Sequence, residues 1–204
     1  MINLSKDDLS KSQMYKENAM RNESLASFTD YGEYLQSLDM KAQIKPFEDI
    51  YMARIAQLTN KSNQFNLTTR RYTQNEVEEV SKNSNYIDIY GKLEDKFGDN
   101  GVVSVVIGEK HGEELDINLW IMSCRVLKRD MEFAMMDTLV KKAKEDGIKT
   151  IKGFYYPTAK NMMVKDFYDL HGFNKTEEDA SGNTTWVLDI DNYENKNKYI
   201  EVED

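Results

Sequence analysis

The chain has a single cysteine among its 204 residues. Cys124 is followed by Arg125, and then by Lys128 and Arg129. A thiol beside a guanidinium and close to a helix start could carry an acyl group. A lone Cys is as readily a small buried residue, and the sequence leaves both readings open. A second group is the polar run Asn63, Gln64, Asn66 and Thr69 followed by Arg70 and Arg71. Its amides and hydroxyls could hold a polar acyl group, with a guanidinium on a phosphate. The alternative is a loop hydrogen-bonded to itself. Asp189 and Asp191 fit the D-x-D spacing of a phosphoryl-accepting aspartate and its acid partner. Too little chain follows Asp191 to complete such a site, so a closing strand is expected there. His111 and His171 stand in polar contexts and are expected at the surface.

These residues need elements to position them. Residues 1–38 are polar and helix-prone, and are expected to form a peripheral extension. A main domain over 39–191 and a charged tail over 192–204 follow. Within the main domain a strand is expected over 40–46 and an amphipathic helix over 47–59. A shorter helix over 75–81, capped by Asn75, comes next. Residues 85–93, 102–107 and 115–126 read as three strands joined by short turns, an antiparallel meander that brings Cys124 to the end of its third strand. Asp130 caps the most clearly marked helix, with the stripe Met136, Leu139, Val140 and Ala143 and with Gly147 beyond it. A strand over 148–155, a three-turn helix from Asn161 with Val164, Phe167 and Tyr168 on its apolar face, and a strand over 184–190 complete the order. The class is α+β, a mixed sheet with helices on its faces.

Composition excludes several functions. A net charge of −9 opposes general nucleic-acid binding. Any acidic partner or coenzyme would need a local basic patch, and Arg125, Lys128 and Arg129, or Lys61, Arg70 and Arg71, are the candidates. No apolar run reaches the ~18 residues of a membrane span. Neither a leader nor a disulfide is expected, and a soluble cytoplasmic protein without a metal centre follows.

The segment Asn161-Met-Met-Val-Lys-Asp-Phe167-Tyr168-Asp-Leu-His-Gly172-Phe173 resembles the last motif of the GNAT acyltransferase superfamily, and the order of elements resembles that family's order. The resemblance implies that Asn161 contacts a pantetheine arm and that Tyr168 protonates the departing thiolate. It also implies that the arm passes between two splayed strands near Cys124. The family's pyrophosphate loop, R/Q-x-x-G-x-G/A, aligns with Arg125-Val126-Leu127-Lys128-Arg129-Asp130, so both glycine positions are filled. Segments 54–72, 97–101, 122–127 and 156–161 further resemble the C-terminal region of FkbH-like proteins, which act in polyketide and related pathways. No N-terminal phosphatase-type region of the haloacid dehalogenase superfamily is expected here. That resemblance implies an acyltransferase-type domain handling a glyceryl or similar acyl thioester and the phosphopantetheine of an acyl carrier protein. A separate phosphatase partner is then expected. The alternatives are an N- or O-acetyltransferase using acetyl-CoA (coenzyme A) and a non-catalytic docking module for a carrier protein.

Overall fold

The computed structural model describes residues 6–204; the first five residues of the expected extension lie outside them. The extension is two helices, α1 (Lys6–Leu25) and α2 (Tyr31–Ser37). Asp30 caps α2 by accepting the Glu33 amide. Strand β1 (Met40–Lys45) leads through a short 3-10 turn into α3 (Met52–Lys61), and α4 (Gln74–Lys82) follows. Thr73, not Asn75, caps α4: its hydroxyl takes the Glu76 amide while the Glu76 carboxylate takes the Thr73 amide. The meander is β2 (Tyr86–Asp95), β3 (Gly98–His111) and β4 (Glu114–Met122), and α5 (Met131–Glu145) crosses over to β5 (Thr150–Tyr155).

After β5 the chain departs from expectation. In place of a three-turn helix there is a 3-10 turn (Met162–Val164) and a four-residue helix, α6 (Phe167–Leu170). Strand β6 (Asn174–Glu178) is exposed along its whole length, and β7 (Thr184–Asp189) pairs with it. The charged tail is not merely peripheral: β8 (Ile200–Val202) lies parallel to β1.

The eight strands form one sheet in the order β6-β7-β5-β4-β3-β2-β1-β8. The pairs β4–β5 and β1–β8 are parallel and the rest antiparallel. One face carries α2, α5 and α6 over a core including Trp120, Met135 and Leu139. The other carries α3 and α4 over Ile55, Val77 and Tyr90. The feature that shapes the site is the parallel pair. β4 and β5 pair only at Glu114–Thr150, Leu115–Ile151 and Asp116–Lys152, then part, so residues 117–122 have no neighbouring strand on that side.

Candidate functional site

A strand edge inside a protein cannot be left unpaired, because each buried amide and carbonyl requires a partner. Residues 65–69 fill that need. The Leu67 amide donates to the Trp120 carbonyl at 3.2 Å, and the Met122 amide to the Phe65 carbonyl at 3.0 Å. On the β5 side the Tyr156 amide donates to the Leu67 carbonyl at 2.9 Å. The Thr68 hydroxyl donates to the Asn118 carbonyl at 2.7 Å. The polar run between α3 and α4 is therefore a wedge between two strands.

Asn161 latches this wedge. Its side-chain amide donates to the carbonyls of Asn66 (2.9 Å) and Tyr156 (3.0 Å), while its oxygen accepts the Thr158 amide at 2.7 Å. The side chain is wholly buried, which places it in the framework and not on a ligand surface. Asn66 is equally buried; its side chain spans the Ser62 carbonyl and the Thr69 amide. Thr69 holds a left-handed backbone at φ 60°. Arg71 donates to the Thr59 carbonyl at 2.7 Å and to Asn63, tying the loop to the end of α3. Arg70 is exposed. Of the polar run, Asn63 and Gln64 line a cavity, whereas Asn66, Thr69, Arg70 and Arg71 do not.

That cavity, about 720 Å³, lies on the α3 side of the wedge. Cys124 lines it and is exposed. The thiol heads a 3-10 turn (Cys124–Val126), with Ser123 as cap, and not α5 itself. Arg54, Lys61, Arg125 and Lys160 also line the cavity. Arg54 and Lys61 are one heptad apart on α3, so they share a helix face; that spacing was the available signal for Arg54.

A smaller cavity, about 180 Å³, lies on the opposite side of the sheet between α5 and α6. Leu127, Glu132, Phe133, Phe167 and His171 contribute to its walls. Phe65 and Met122 line both cavities, so these two side chains form the partition between them. His171 corrects the expectation of a surface residue: it is 1 % exposed. Nδ1 lies 2.7 Å from the Phe167 carbonyl and the ring packs 4.3 Å from the Phe167 ring. Burial pushes its imidazole down to about 4, so the ring is neutral. In the neutral ring Nδ1–H donates and Nε2 is an acceptor; Nε2 is buried without a partner. His111 is at the surface, as expected.

Tyr168 is likewise internal. Its hydroxyl donates to the Phe154 carbonyl and accepts the Phe154 amide, both at 3.0 Å, with the residue fully buried. Burial drives the phenol pKa far upward. The ring presses on β5 where Gly153 leaves room: an added Cβ would lie 2.2 Å from the ring. The hydroxyl is committed to the strand and lines neither cavity.

The loop before α5 keeps the backbone of a glycine-rich loop without its glycines. Lys128 and Asp130 both lie at φ 65°, the left-handed region that disfavours side chains. Val126 is fully buried in the core. Arg129 turns inward, donating to Asn100 Oδ1 (3.0 Å) and the Arg125 carbonyl (2.9 Å) and pairing with Asp95 at 3.4 Å. Arg21 of α1 binds the same Asp95 carboxylate through two bonds at 2.7 and 2.8 Å. Burial alone would raise Asp95, but the hydrogen bonds and charge of Arg21, with the Phe97 amide and Arg129, hold it below the usual carboxylate range. The extension is thus tied to the loop, and Arg129 is unavailable to a phosphate. Asp130 and Glu132 put two carboxyls at the start of α5, both raised by burial. This donor set does not fit a diphosphate, which a helix start would otherwise attract. Among the described residues no group of His, Cys, Asp and Glu could hold a metal ion, and no helix is long and apolar enough to cross a membrane.

No protein-family model matches the chain, and no curated protein matches it. Solved structures do. The ribosomal-protein-S18-alanine N-acetyltransferase from Escherichia coli superposes with a TM-score of 0.54 at 13% identity, covering 73% of this chain and 94% of that one. PaiA N-acetyltransferase from Thermoplasma acidophilum, solved in complex with coenzyme A, gives 0.55 at 11% identity over 73% and 99%. An acetyltransferase of the GNAT family from Staphylococcus aureus gives 0.54 at 12% identity over 73% and 99%. The fold is therefore that of the GNAT acetyltransferases, an α+β architecture with one mixed sheet between helices.

Proposed function

We propose that the chain is an acyltransferase-type domain acting on a glyceryl or similar acyl thioester borne by the phosphopantetheine of an acyl carrier protein. The observation that carries this reading is the pair of cavities meeting at Phe65 and Met122 in the gap between β4 and β5, with Cys124 exposed in the larger one. An arm entering between α5 and α6 has its shortest way to Cys124 through that partition. The Cys124 thiolate would attack the thioester carbonyl; a new C–S bond forms, the bond to the donor sulfur breaks, and the departing thiolate takes up the proton that Cys124 released.

A carrier-borne arm is favoured over free coenzyme A by the start of α5. Lys128 and Asp130 stand where glycines admit a diphosphate, Asp130 and Glu132 are acidic, and Arg129 is buried. A separate phosphatase of the haloacid dehalogenase superfamily would be the supplier of such an acyl unit. Incubation with an acylated carrier protein, followed by intact-protein mass spectrometry, tests the reading. The expected result is an added acyl mass on the wild type and none on Cys124→Ala. An unmodified wild-type protein refutes it.

The wedge itself supports a second reading, a docking module that binds a carrier without transfer, since residues 65–69 close the gap that an acyl group would use. Carrier binding that persists in Cys124→Ala and Tyr168→Phe, with no acyl mass, would establish it. The acetyltransferases that share the fold keep an acetyl-CoA-dependent N- or O-acetyltransferase as a third. Calorimetry with acetyl-CoA decides that one: no heat at millimolar ligand removes it.

A further inference from the structure

The cavity beside Cys124 has a neighbour of about 580 Å³, and Arg54, Lys61 and Arg125 line both. Lys160 adds to the first, and Lys11 and Lys92 to the second. No carboxylate lines the first, and Asp99 is the one acidic side chain in the second. Such a concentration of positive charge is at odds with a chain of net charge −9, whose carboxylates outnumber its cations.

Elsewhere the buried cations have an acidic partner, as Arg21 and Arg129 share Asp95. Among the described residues Arg54, Lys61 and Arg125 form no ion pair. Arg54 is half-buried and donates to neutral groups alone, Gln57 Oε1 at 2.9 Å and the Val102 carbonyl at 3.3 Å. Burial lowers its pKa, and the unneutralised charge of Arg125 lowers it further. Arg125 contacts Met14 Sδ at 2.7 Å, again a neutral partner. Two guanidiniums that repel each other across a concave, partly desolvated surface are stabilised by any anion placed between them.

We propose that Arg54, Lys61 and Arg125 form a binding site for the phosphate or carboxylate of a small-molecule substrate that occupies the cavity of Cys124. The concave shape suits a small ion and not the flat face of an acidic protein. The site gives the acyl-transfer reading a substrate class, an anionic small molecule, and rests on that reading only for the word substrate; anion binding stands without it.

The test is calorimetry on the full chain with inorganic phosphate, pyrophosphate and succinate, each at constant ionic strength in chloride, with no thioester present. Saturable binding of at least one anion at millimolar concentration is expected, and the probe that binds separates phosphate from carboxylate. Arg54→Gln and Arg125→Gln should each weaken it about tenfold, the loss of one charge-assisted contact. Lys144→Gln, an exposed change at the far end of α5, should leave it unaltered. Arg125 is exposed, so its variant folds even where Arg54→Gln does not. Absence of saturable binding of all three anions, or equal binding in the Arg54 and Arg125 variants, would overturn the proposal. Because no acyl donor is used, a failure of Cys124 acylation leaves this result untouched.

Discussion

Replacing Asn161 with alanine removes the latch that holds residues 65–69 between β4 and β5. Two carbonyls, of Asn66 and Tyr156, lose a donor, and the Thr158 amide loses its acceptor. The Asn161 side chain has no solvent exposure, so water cannot readily replace it. Each buried group left unpaired costs roughly 1–3 kcal/mol. The Tyr156 and Thr158 groups lie nearer the surface and recover part of that. The loss is then about 3–5 kcal/mol, a large share of the roughly 5–15 kcal/mol of a folded domain. Urea unfolding of the two proteins measures this. Native-state hydrogen exchange localises it: the amides of Leu67 and Tyr156 should lose protection while those of the β3–β4 ladder keep theirs. A destabilisation below about 1 kcal/mol, or unchanged protection at Leu67, would refute the latch.

Lys128→Gly should stabilise the fold by about 1 kcal/mol by relieving a left-handed lysine. Differential scanning calorimetry would show a rise of about 2–4 °C for a chain of this size. Acid should weaken the protein through His171. Its folded pKa is depressed to about 4 from 6.5, so the unfolded chain binds the proton first and stability falls as pH drops from 6.5 toward 4. The loss is up to roughly 3 kcal/mol, and His171→Phe should flatten that part of the urea midpoint profile.

Periodicity made the central elements legible. The α5 stripe reports one buried face and the β-branched stretch of β3 a strand buried on both, and both lie where expected; β4 alternates only as far as Ile117 and is buried on both faces beyond it. β6 was hidden because Asn-Lys-Thr-Glu-Glu is exposed throughout and carries no apolar alternation. β8 was masked by the charges around it. The residues of the site were harder to read. Asn161 bonds a carbonyl 95 positions away, and no local pattern encodes that pairing. His171 sits among Asp169, Leu170 and Gly172, a polar neighbourhood in sequence, yet it faces Trp120 and Phe133 in space. Cys124, Asn63 and Gln64 do share one cavity, although β4 stops at Met122, short of the expected end at 126, and Cys124 begins a 3-10 turn beyond it.

The salt-bridged cluster at Asp95 has a mechanical meaning. Helix α1 spans 20 residues, about 30 Å at ~1.5 Å each. Arg21, near its C-terminal end, grips the carboxylate that also holds Arg129, two residues before the start of α5. The helix is therefore held at two points, by Arg21 on Asp95 at the β2–β3 turn and by Met14 on Arg125 before α5. Loss of the Arg21–Asp95 pair would leave Arg129 to hold, through the same carboxylate, the loop that frames the smaller cavity.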